Sequence, residues 1–349
     1  MISKKECPGD PLSVEMSNKV LYYLRSFIQY GIPDVWFRHQ LARHICSILE
    51  RSDANAIAER VNYYCKLASG TRLNHDAGLL SLLKLGRKST VYYFDAHELA
   101  RYFPKHLRWN TKFGDVNYYI PVPAITKSRP IAGDNSNSVL LKLNKVRHFK
   151  FVSDSIPFRD KQDKLVFRGA CCQPHRRRFL ERYFGHPLCD VGEFRRTKKF
   201  SSPWGVPALS IPEHLRYKFI LSLEGNDVAS NLKWIMSSNA IAVMPRPKFE
   251  TWFMEGTLIP DVHYIEINDD YSDLEGKLSY YLKNLQAAEA IIANAHRHVD
   301  RFRDVSLERM IGLMTLRKYF FRTGQITISR PEETIYSDSL VDCSGSKAA

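Results

Sequence analysis

The stretch LSLEGNDVASNLKW, residues 221–234, decides the expected fold, because it leads from a buried strand into a helix through a short polar loop. Its first residues end an apolar run, and Gly225 then permits a tight turn. Backbone N–H groups of such a loop can donate to an anion, and the N-terminus of the following helix favours negative charge. Lys233 adds a full positive charge, so a phosphate or diphosphate fits this turn. Asn226 or Asp227 serving only as a helix cap is an alternative of equal weight.

Apolar runs of strand length alternate with helical patterns on both sides of this stretch. The expected strands are KLVF (164–167), YKFILSL (217–223), AIAVM (240–244) and VHYIEI (262–267). The expected helices are DVASNLKWIMSS (227–238), FETWFMEG (249–256) and a long helix from Ser272, whose spacing to Glu275 is that of a capping box. Strands without polar alternation are covered on both faces, so the pattern predicts an α/β fold with a parallel, doubly wound sheet. Ligands of such sheets bind beyond the carboxyl ends of the strands.

The first half of the chain has a different pattern. Apolar residues at helical spacing predict helices in LSVEMSNKVLYYLRSFIQYG (12–31) and DANAIAERVNYYCKLASG (53–70). Shorter β-rich runs follow at TVYYF (90–94), VNYYIPV (116–122) and FKFV (149–152).

A chain of 349 residues is long enough for two domains. The charged, Pro-rich segment RRTKKFSSPWGVPALSIPEH (195–214) is the predicted linker. The predicted units are an N-terminal domain at 1–205 with a helical preface at 1–88, a C-terminal ligand-binding domain at 206–304, a helical segment at 305–330 that packs back on the N-terminal domain, and a loose tail at 331–349.

The composition restricts the class of protein. A formal net charge of +14 is typical of proteins that meet phosphate, nucleic acid or an anionic membrane surface. The sequence has no apolar run long enough for a transmembrane helix, and no apolar segment follows the first lysines as in a signal peptide. We therefore expect a cytoplasmic location. Seven cysteines without a CxxC pair predict neither a disulfide framework nor a zinc site.

A second stretch, KLVFRGACCQPHRRRFLERYF (164–184), repeats the design of strand, turn and helix. Its turn is Arg168–Gly169, and three consecutive arginines open its helix. Consecutive helical residues point in different directions, so only one or two of these arginines can reach a ligand. Arg176 is the one placed in the cleft, as a second cationic group for an anion.

Acidic residues supply further candidates. Glu250 follows the strand AIAVM and could accept hydrogen bonds from a ribose, or could simply be a charge at a helix start. The stretch INDDYSD (267–273) could suggest a metal, but turn and cap chemistry is the favoured interpretation. In the first domain, loop-forming sequence carries Asp115, Lys127, Arg129 and Asp134, and an acid there could face the cleft as a base or simply lie in a turn.

The order and spacing of these segments resemble the family 90 glycosyltransferases, the CAP10-like group. The resemblance covers residues 110–305 and lies in KLVFRGACCQPHRRRF, in YKFILSLEGNDVASNLKWIMSSNAIAVMPRP and in VHYI. It implies a GT-B fold, with two Rossmann-like domains facing a cleft, inversion at the sugar carbon and no essential metal.

The resemblance also assigns residues. The donor loop of the family falls on Asn226, Asp227, Val228, Ala229, Ser230 and Asn231, its diphosphate arginine on Arg176, and its catalytic aspartate on Asp115 before YYIPV. Arg168, Gly169, Lys233 and Glu250 complete the expected donor site, and Lys127 and Arg129 are expected in the cleft.

The expected function is transfer of a hexose, glucose first, from a nucleoside diphosphate sugar such as UDP-glucose. The expected acceptor is a lipopolysaccharide core or another anionic, lipid-linked saccharide, and the enzyme would work as a peripheral protein at the inner membrane, with no metal and no nucleic acid. Two rivals remain open. A nucleic-acid-binding protein would explain the charge, although no binding module is recognisable, and a phosphotransferase would use the same anion sites without a GxxxxGK[ST] loop.

Overall fold

The computed structural model describes residues 11–85, 90–194 and 202–336, with side chains from residue 19 onward. The helices are α1 (Pro11–Tyr30), α2 (Asp34–Leu49), α3 (Ala54–Tyr64), α4 (Thr90–Ala100), α5 (Lys145–His148), α6 (Pro174–Tyr183), α7 (Ile211–His214), α8 (Leu232–Met236), α9 (Leu274–Lys283), α10 (Leu285–Asp300), α11 (Val305–Arg322) and α12 (Arg330–Tyr336). The strands are β1 (Gly78–Leu79), β2 (Arg108–Trp109), β3 (Thr111–Lys112), β4 (Ala124–Thr126), β5 (Ser128–Pro130), β6 (Ser138–Leu140), β7 (Gln162–Gly169), β8 (Cys189–Glu193), β9 (Tyr217–Leu221), β10 (Ile241–Met244), β11 (Phe249–Thr251) and β12 (Ile265–Glu266). The fold is therefore mixed α/β.

The largest sheet is parallel and has five strands in the order β12-β10-β9-β7-β8. Its strands include all four that the apolar runs predict, and helices cover both of its faces. The sheet also corrects the predicted domain boundary between residues 205 and 206, because β7 precedes that point and pairs with β9, which follows it, while β8 pairs with β7. The segment at 195–214 connects two strands of one sheet and does not divide two sheets; its first part, 195–201, lies outside the described residues.

Alternate residues of the central strands enter two different cores. Phe219 and Leu221 of β9 pack with α6 and α9 on one face, whereas Ile220 packs with α8 and the N-terminal helices on the other. All three are fully buried. Burying a side chain of this size contributes roughly 1.5–3 kcal/mol, which explains why these strands show no polar alternation.

A second, smaller parallel sheet has the order β3-β4-β6, and β5, which lies between β4 and β6 in the chain, forms an antiparallel pair with β11, which lies between β10 and β12. The pair corrects the helix predicted for FETWFMEG, since Phe249–Thr251 is a strand that bonds to Ser128–Pro130. Three other predictions also fail. TVYYF begins helix α4, and VNYYIPV and FKFV form no strand.

The helices at the two ends of the chain pack together. Helix α11 contacts α2, α3 and α4, and α12 contacts α3. The tail predicted from residue 331 is therefore wrong as far as Tyr336, because Ile335 and Tyr336 are buried in α12; residues 337–349 lie outside the described residues. Helix α9 buries Leu274 and Leu278 as predicted, but Ser272 donates to Asp270 and forms no capping box. In the described ranges no helix is long and apolar enough to cross a membrane.

Candidate active site

The loop after β9 is longer than the sequence predicts, because α8 begins only at Leu232 and residues 225–231 form bends and turns. Asn231 fixes this loop to the end of the strand: its Nδ2 donates to the Leu221 carbonyl at 3.0 Å, and its Oδ1 accepts from Ser222 Oγ at 3.1 Å. Its side chain makes no cap hydrogen bond to α8. Asn226 and Asp227, near the start of the loop, contact residues of other segments instead.

Arg176 joins the turn after β7 to this loop. Its guanidinium donates to three backbone carbonyls, of Ala170 at 2.9 Å, Leu223 at 2.6 Å and Glu224 at 2.9 Å. Burial lowers its pKa, but arginine remains charged at neutral pH. Because these acceptors are neutral carbonyls, they leave the positive charge of Arg176 uncompensated beside the loop.

Lys127 joins the loop to the segment before β5. It is buried, and its ammonium lies 2.6 Å from Asp115 Oδ1 and 2.7 Å from Asp227 Oδ2. Asp227 also accepts from Ser128 Oγ at 2.6 Å. Burial alone would lower the pKa of Lys127. The negative charge of Asp227 and the hydrogen bonds to both carboxylates outweigh the effect of burial, so the pKa of Lys127 is raised. Asp227 is thus held by Lys127 and Ser128 and does not cap α8.

Asp115 lies directly against the loop after β9. Asn226 Nδ2 donates to Asp115 Oδ2 at 3.2 Å, while Gln173 Nε2 donates to Asn226 Oδ1 at 3.1 Å. Burial would raise the pKa of Asp115, but the hydrogen bond and charge of Lys127 outweigh it and lower the pKa. The carboxylate is therefore ionised at neutral pH, and its side chain remains 30% exposed.

Glu250 does not present its carboxylate to a ligand. It is buried, its Oε1 accepts from Arg129 Nε at 2.8 Å, and its Oε2 accepts from the Tyr63 hydroxyl. The two charged residues face each other across the β5-β11 pair. Arg129 is fully buried and also donates to backbone carbonyls, including that of Tyr63 at 2.7 Å. Both residues hold the fold together beneath the cleft.

Lys233 and Arg168 are likewise engaged by protein groups. Lys233 is fully buried and pairs with Glu255, whose carboxylate also accepts from the Thr251 amide at 2.6 Å. Arg168 pairs with Asp190 at 2.6 Å at the edge of the sheet. Gly169, the last residue of β7, accepts from the Phe194 amide at 3.1 Å. None of these three residues contacts the loop through the bonds described.

A cavity of about 310 Å³ lies beyond the carboxyl ends of β9 and β10, where a parallel sheet binds ligands. Its apolar lining includes Leu223, Val228, Ala229, Leu232, Met244, Pro245, Pro247 and Phe249, and its polar lining includes His175, Arg178, Glu224, Lys248, Asp269 and Tyr271. An apolar floor with a few polar groups is typical of a site for a small organic ligand. Among the expected donor residues, Val228 and Ala229 lie here.

Glu224 is a site residue that the sequence prediction missed. Its Oε1 accepts from the Lys248 and Phe249 amides at 3.0 and 3.1 Å, and burial raises its pKa to about 7. The sequence feature that could have indicated Glu224 is its position directly after a buried parallel strand.

The INDDYSD stretch shows the turn chemistry that the sequence predicts. Asp270 and Asp273 accept hydrogen bonds from nearby backbone amides.

Comparison with known proteins identifies the class. A sequence model of glycosyl transferase family 90 matches residues 141–315, and the chain belongs to this family and is a glycosyltransferase. Asp115, Lys127 and Arg129 lie before the matched range.

Two individual relatives show how far the similarity extends. The chain is 41% identical over 306 residues to the O-glucosyltransferase LpsA of Dichelobacter nodosus, an alignment that covers 87% of this chain and 95% of that protein. It is 27% identical over 130 residues to the uncharacterized protein 179R of Invertebrate iridescent virus 6, which covers 35% of this chain and 11% of that protein. The family resemblance found in the sequence is thereby confirmed.

Replacing Glu250 by Gln tests its structural role. We expect a loss of about 3–5 kcal/mol of stability, because Arg129 would keep a buried charge without a carboxylate partner. The donor KM of the folded variant should not change. The matched control is Glu289→Gln, which removes an exposed pair with Arg159 and should leave the melting temperature nearly unchanged. Thermal melts and steady-state kinetics give both quantities. A raised KM with unchanged stability would return Glu250 to the ligand site.

Proposed function

We propose that the enzyme transfers glucose from a nucleoside diphosphate sugar, UDP-glucose first, to a saccharide hydroxyl with inversion at the anomeric carbon. The observation that carries this proposal is the hydrogen bond of 3.2 Å between Asp115 and Asn226, which puts an ionised carboxylate beside the expected donor loop. The name of the 41% identical relative, an O-glucosyltransferase, supports glucose as the sugar.

In this mechanism the nucleoside occupies the cavity beyond β9 and β10, and the diphosphate lies beside Arg176. Asp115 takes the proton of the acceptor hydroxyl while the hydroxyl oxygen forms its bond to the anomeric carbon. The bond from that carbon to the diphosphate oxygen breaks, and the diphosphate leaves with the electron pair. Lys127 keeps Asp115 ionised before the reaction. The uncompensated charge of Arg176 stabilises the negative charge that grows on the leaving group.

We further infer a GT-B arrangement, in which the five-stranded sheet carries the donor and the smaller β3-β4-β6 sheet belongs to the acceptor side. Contacts between Asp115 and Asn226 and between Lys127 and Asp227 would then cross the cleft between the two sides. The proposed acceptor is a lipopolysaccharide core or another anionic, lipid-linked saccharide at the cytoplasmic face of the inner membrane, which the net charge of +14 suits.

The basic run around Arg176 gives less support to nucleic-acid binding. The side chains of Arg176 and Arg177 donate to backbone carbonyls of their own domain, with Arg177 Nε 3.0 Å from the Cys171 carbonyl. These contacts hold the turn after β7.

Asp115→Asn tests the base. The substitution is nearly isosteric and removes the proton acceptor, so kcat should fall by about 10²-fold or more while the affinity for the donor is kept. Asp134→Asn is the matched control, because Asp134 is an acid of the same loop region whose described bonds are to Ser136. It should leave kcat unchanged. Near-normal turnover of Asp115→Asn would rule Asp115 out as the base.

Chelation tests the proposed independence from metal. Because Arg176 is the cation proposed at the diphosphate, transfer should persist when the enzyme is assayed in EDTA after dialysis against it. Sugar transfer is measured directly, by formation of the glycosylated acceptor. Loss of transfer that Mg²⁺ or Mn²⁺ restores would mean that a metal ion shares this role.

A further inference from the structure

Helix α1 turns its apolar residues away from the protein. Val20, Leu21, Leu24 and Ile28 are between 56 and 63% exposed. At about 100° of rotation per residue they form one stripe roughly 100° wide. A helix that packs on a globular core normally buries such a stripe. In α1, by contrast, the apolar stripe faces away from the protein.

The side of α1 that faces the protein makes polar contacts instead. The Tyr22 hydroxyl donates to Asp95 Oδ1 at 2.8 Å, and Arg101 donates to the Gln29 carbonyl at 2.7 Å. Phe27, which is 52% exposed, and Tyr23 contact the ring of Phe94, with ring centres 4.9 and 6.3 Å from it. These contacts hold the helix in place, and none of the described residues covers its stripe.

The apolar surface continues through the turn into α2. Ile32 and Val35 are exposed there, and Trp36 is 69% exposed. Exposed apolar patches of this extent mark interaction sites, and tryptophan is enriched where a protein meets the interface of a bilayer. We call the exposed residues Val20, Leu21, Leu24, Ile28, Ile32, Val35 and Trp36 the α1 face.

The charge around the α1 face is positive. From residue 19 to residue 49 the basic side chains are Lys19, Arg25, Arg38 and Arg43, and the acidic one is Asp34. Asp34 is already neutralised by Arg101 at 3.2 Å and Lys105 at 3.0 Å. An apolar stripe with a basic surround is complementary to an anionic bilayer, whereas two copies of this face would bring like charges together.

We propose that the α1 face binds the surface of an anionic lipid bilayer, with its apolar side chains at the level of the headgroups and the arginines against lipid phosphates. Helix α1 packs against α5. This inference rests on the proposed function and names the surface that would meet the membrane, and its test uses no sugar.

The test is sedimentation of the full chain with vesicles of phosphatidylcholine alone or mixed with phosphatidylglycerol. We expect binding to the anionic vesicles that weakens with salt. Ile28→Glu should weaken it by about tenfold or more, because it replaces an apolar contact with a charge of the same sign as the lipid. The matched control is Val305→Glu, which adds the same charge at a residue that is 62% exposed, against 63% for Ile28, and should bind as the unmodified chain does.

A second variant tests the basic side chains near the α1 face. Arg25→Gln should weaken binding to anionic vesicles by about fivefold and leave any binding to neutral vesicles unchanged. Equal binding to both kinds of vesicle, no binding to either, or equal effects of Ile28→Glu and Val305→Glu would overturn the proposal. So would a dimer, measured by light scattering, that Ile28→Glu dissociates. Any of these results would leave the proposed transfer reaction standing, because none involves the active site.

Discussion

The ammonium of Lys127, shared between Asp115 and Asp227, is the interaction on which the active site depends. Burying a lysine costs several kcal/mol unless close anionic partners compensate it, and here both partners lie within 2.7 Å. Asp115 belongs to the segment between β3 and β4 of the small sheet, and Asp227 to the loop after β9. A single buried charge therefore fixes the distance between the expected base and the expected donor loop.

Two further buried ion pairs lie in the same region. Arg129 with Glu250 ties β5 to β11, and Lys233 with Glu255 ties α8 to the chain after β11. The charged residues of the region thus divide into two groups. Most are paired within the protein, whereas Arg176 is bound by neutral carbonyls, which is why we propose it as the cation for the diphosphate.

Sequence patterns predict the large sheet well because each strand is recognisable from its own apolar residues. The two members of an ion pair that are far apart in the chain cannot be recognised from local sequence patterns. Glu250 and Arg129 are 121 positions apart, so the sequence shows two charges and not that they neutralise each other. TVYYF has strand-like residues, but α4 buries Tyr93 and Ala96 at helical spacing, and tertiary packing overrides the local preference. Asp227 was predicted beside the ligand for its place in the loop, while Ser128 and Lys127 hold it instead.

The most direct test of this account is the pH dependence of kcat/KM for Lys127→Met. In the unmodified enzyme Lys127 lowers the pKa of Asp115 against the opposing effect of burial, so the base stays ionised to low pH. Without the lysine, burial dominates, the pKa of Asp115 rises, and the acid limb of the profile should move to higher pH. Lys127→Arg, which keeps the positive charge, should hold the limb near its original position. An acid limb that is the same in Lys127→Met and the unmodified enzyme would show that Asp115 and Lys127 do not form the catalytic pair.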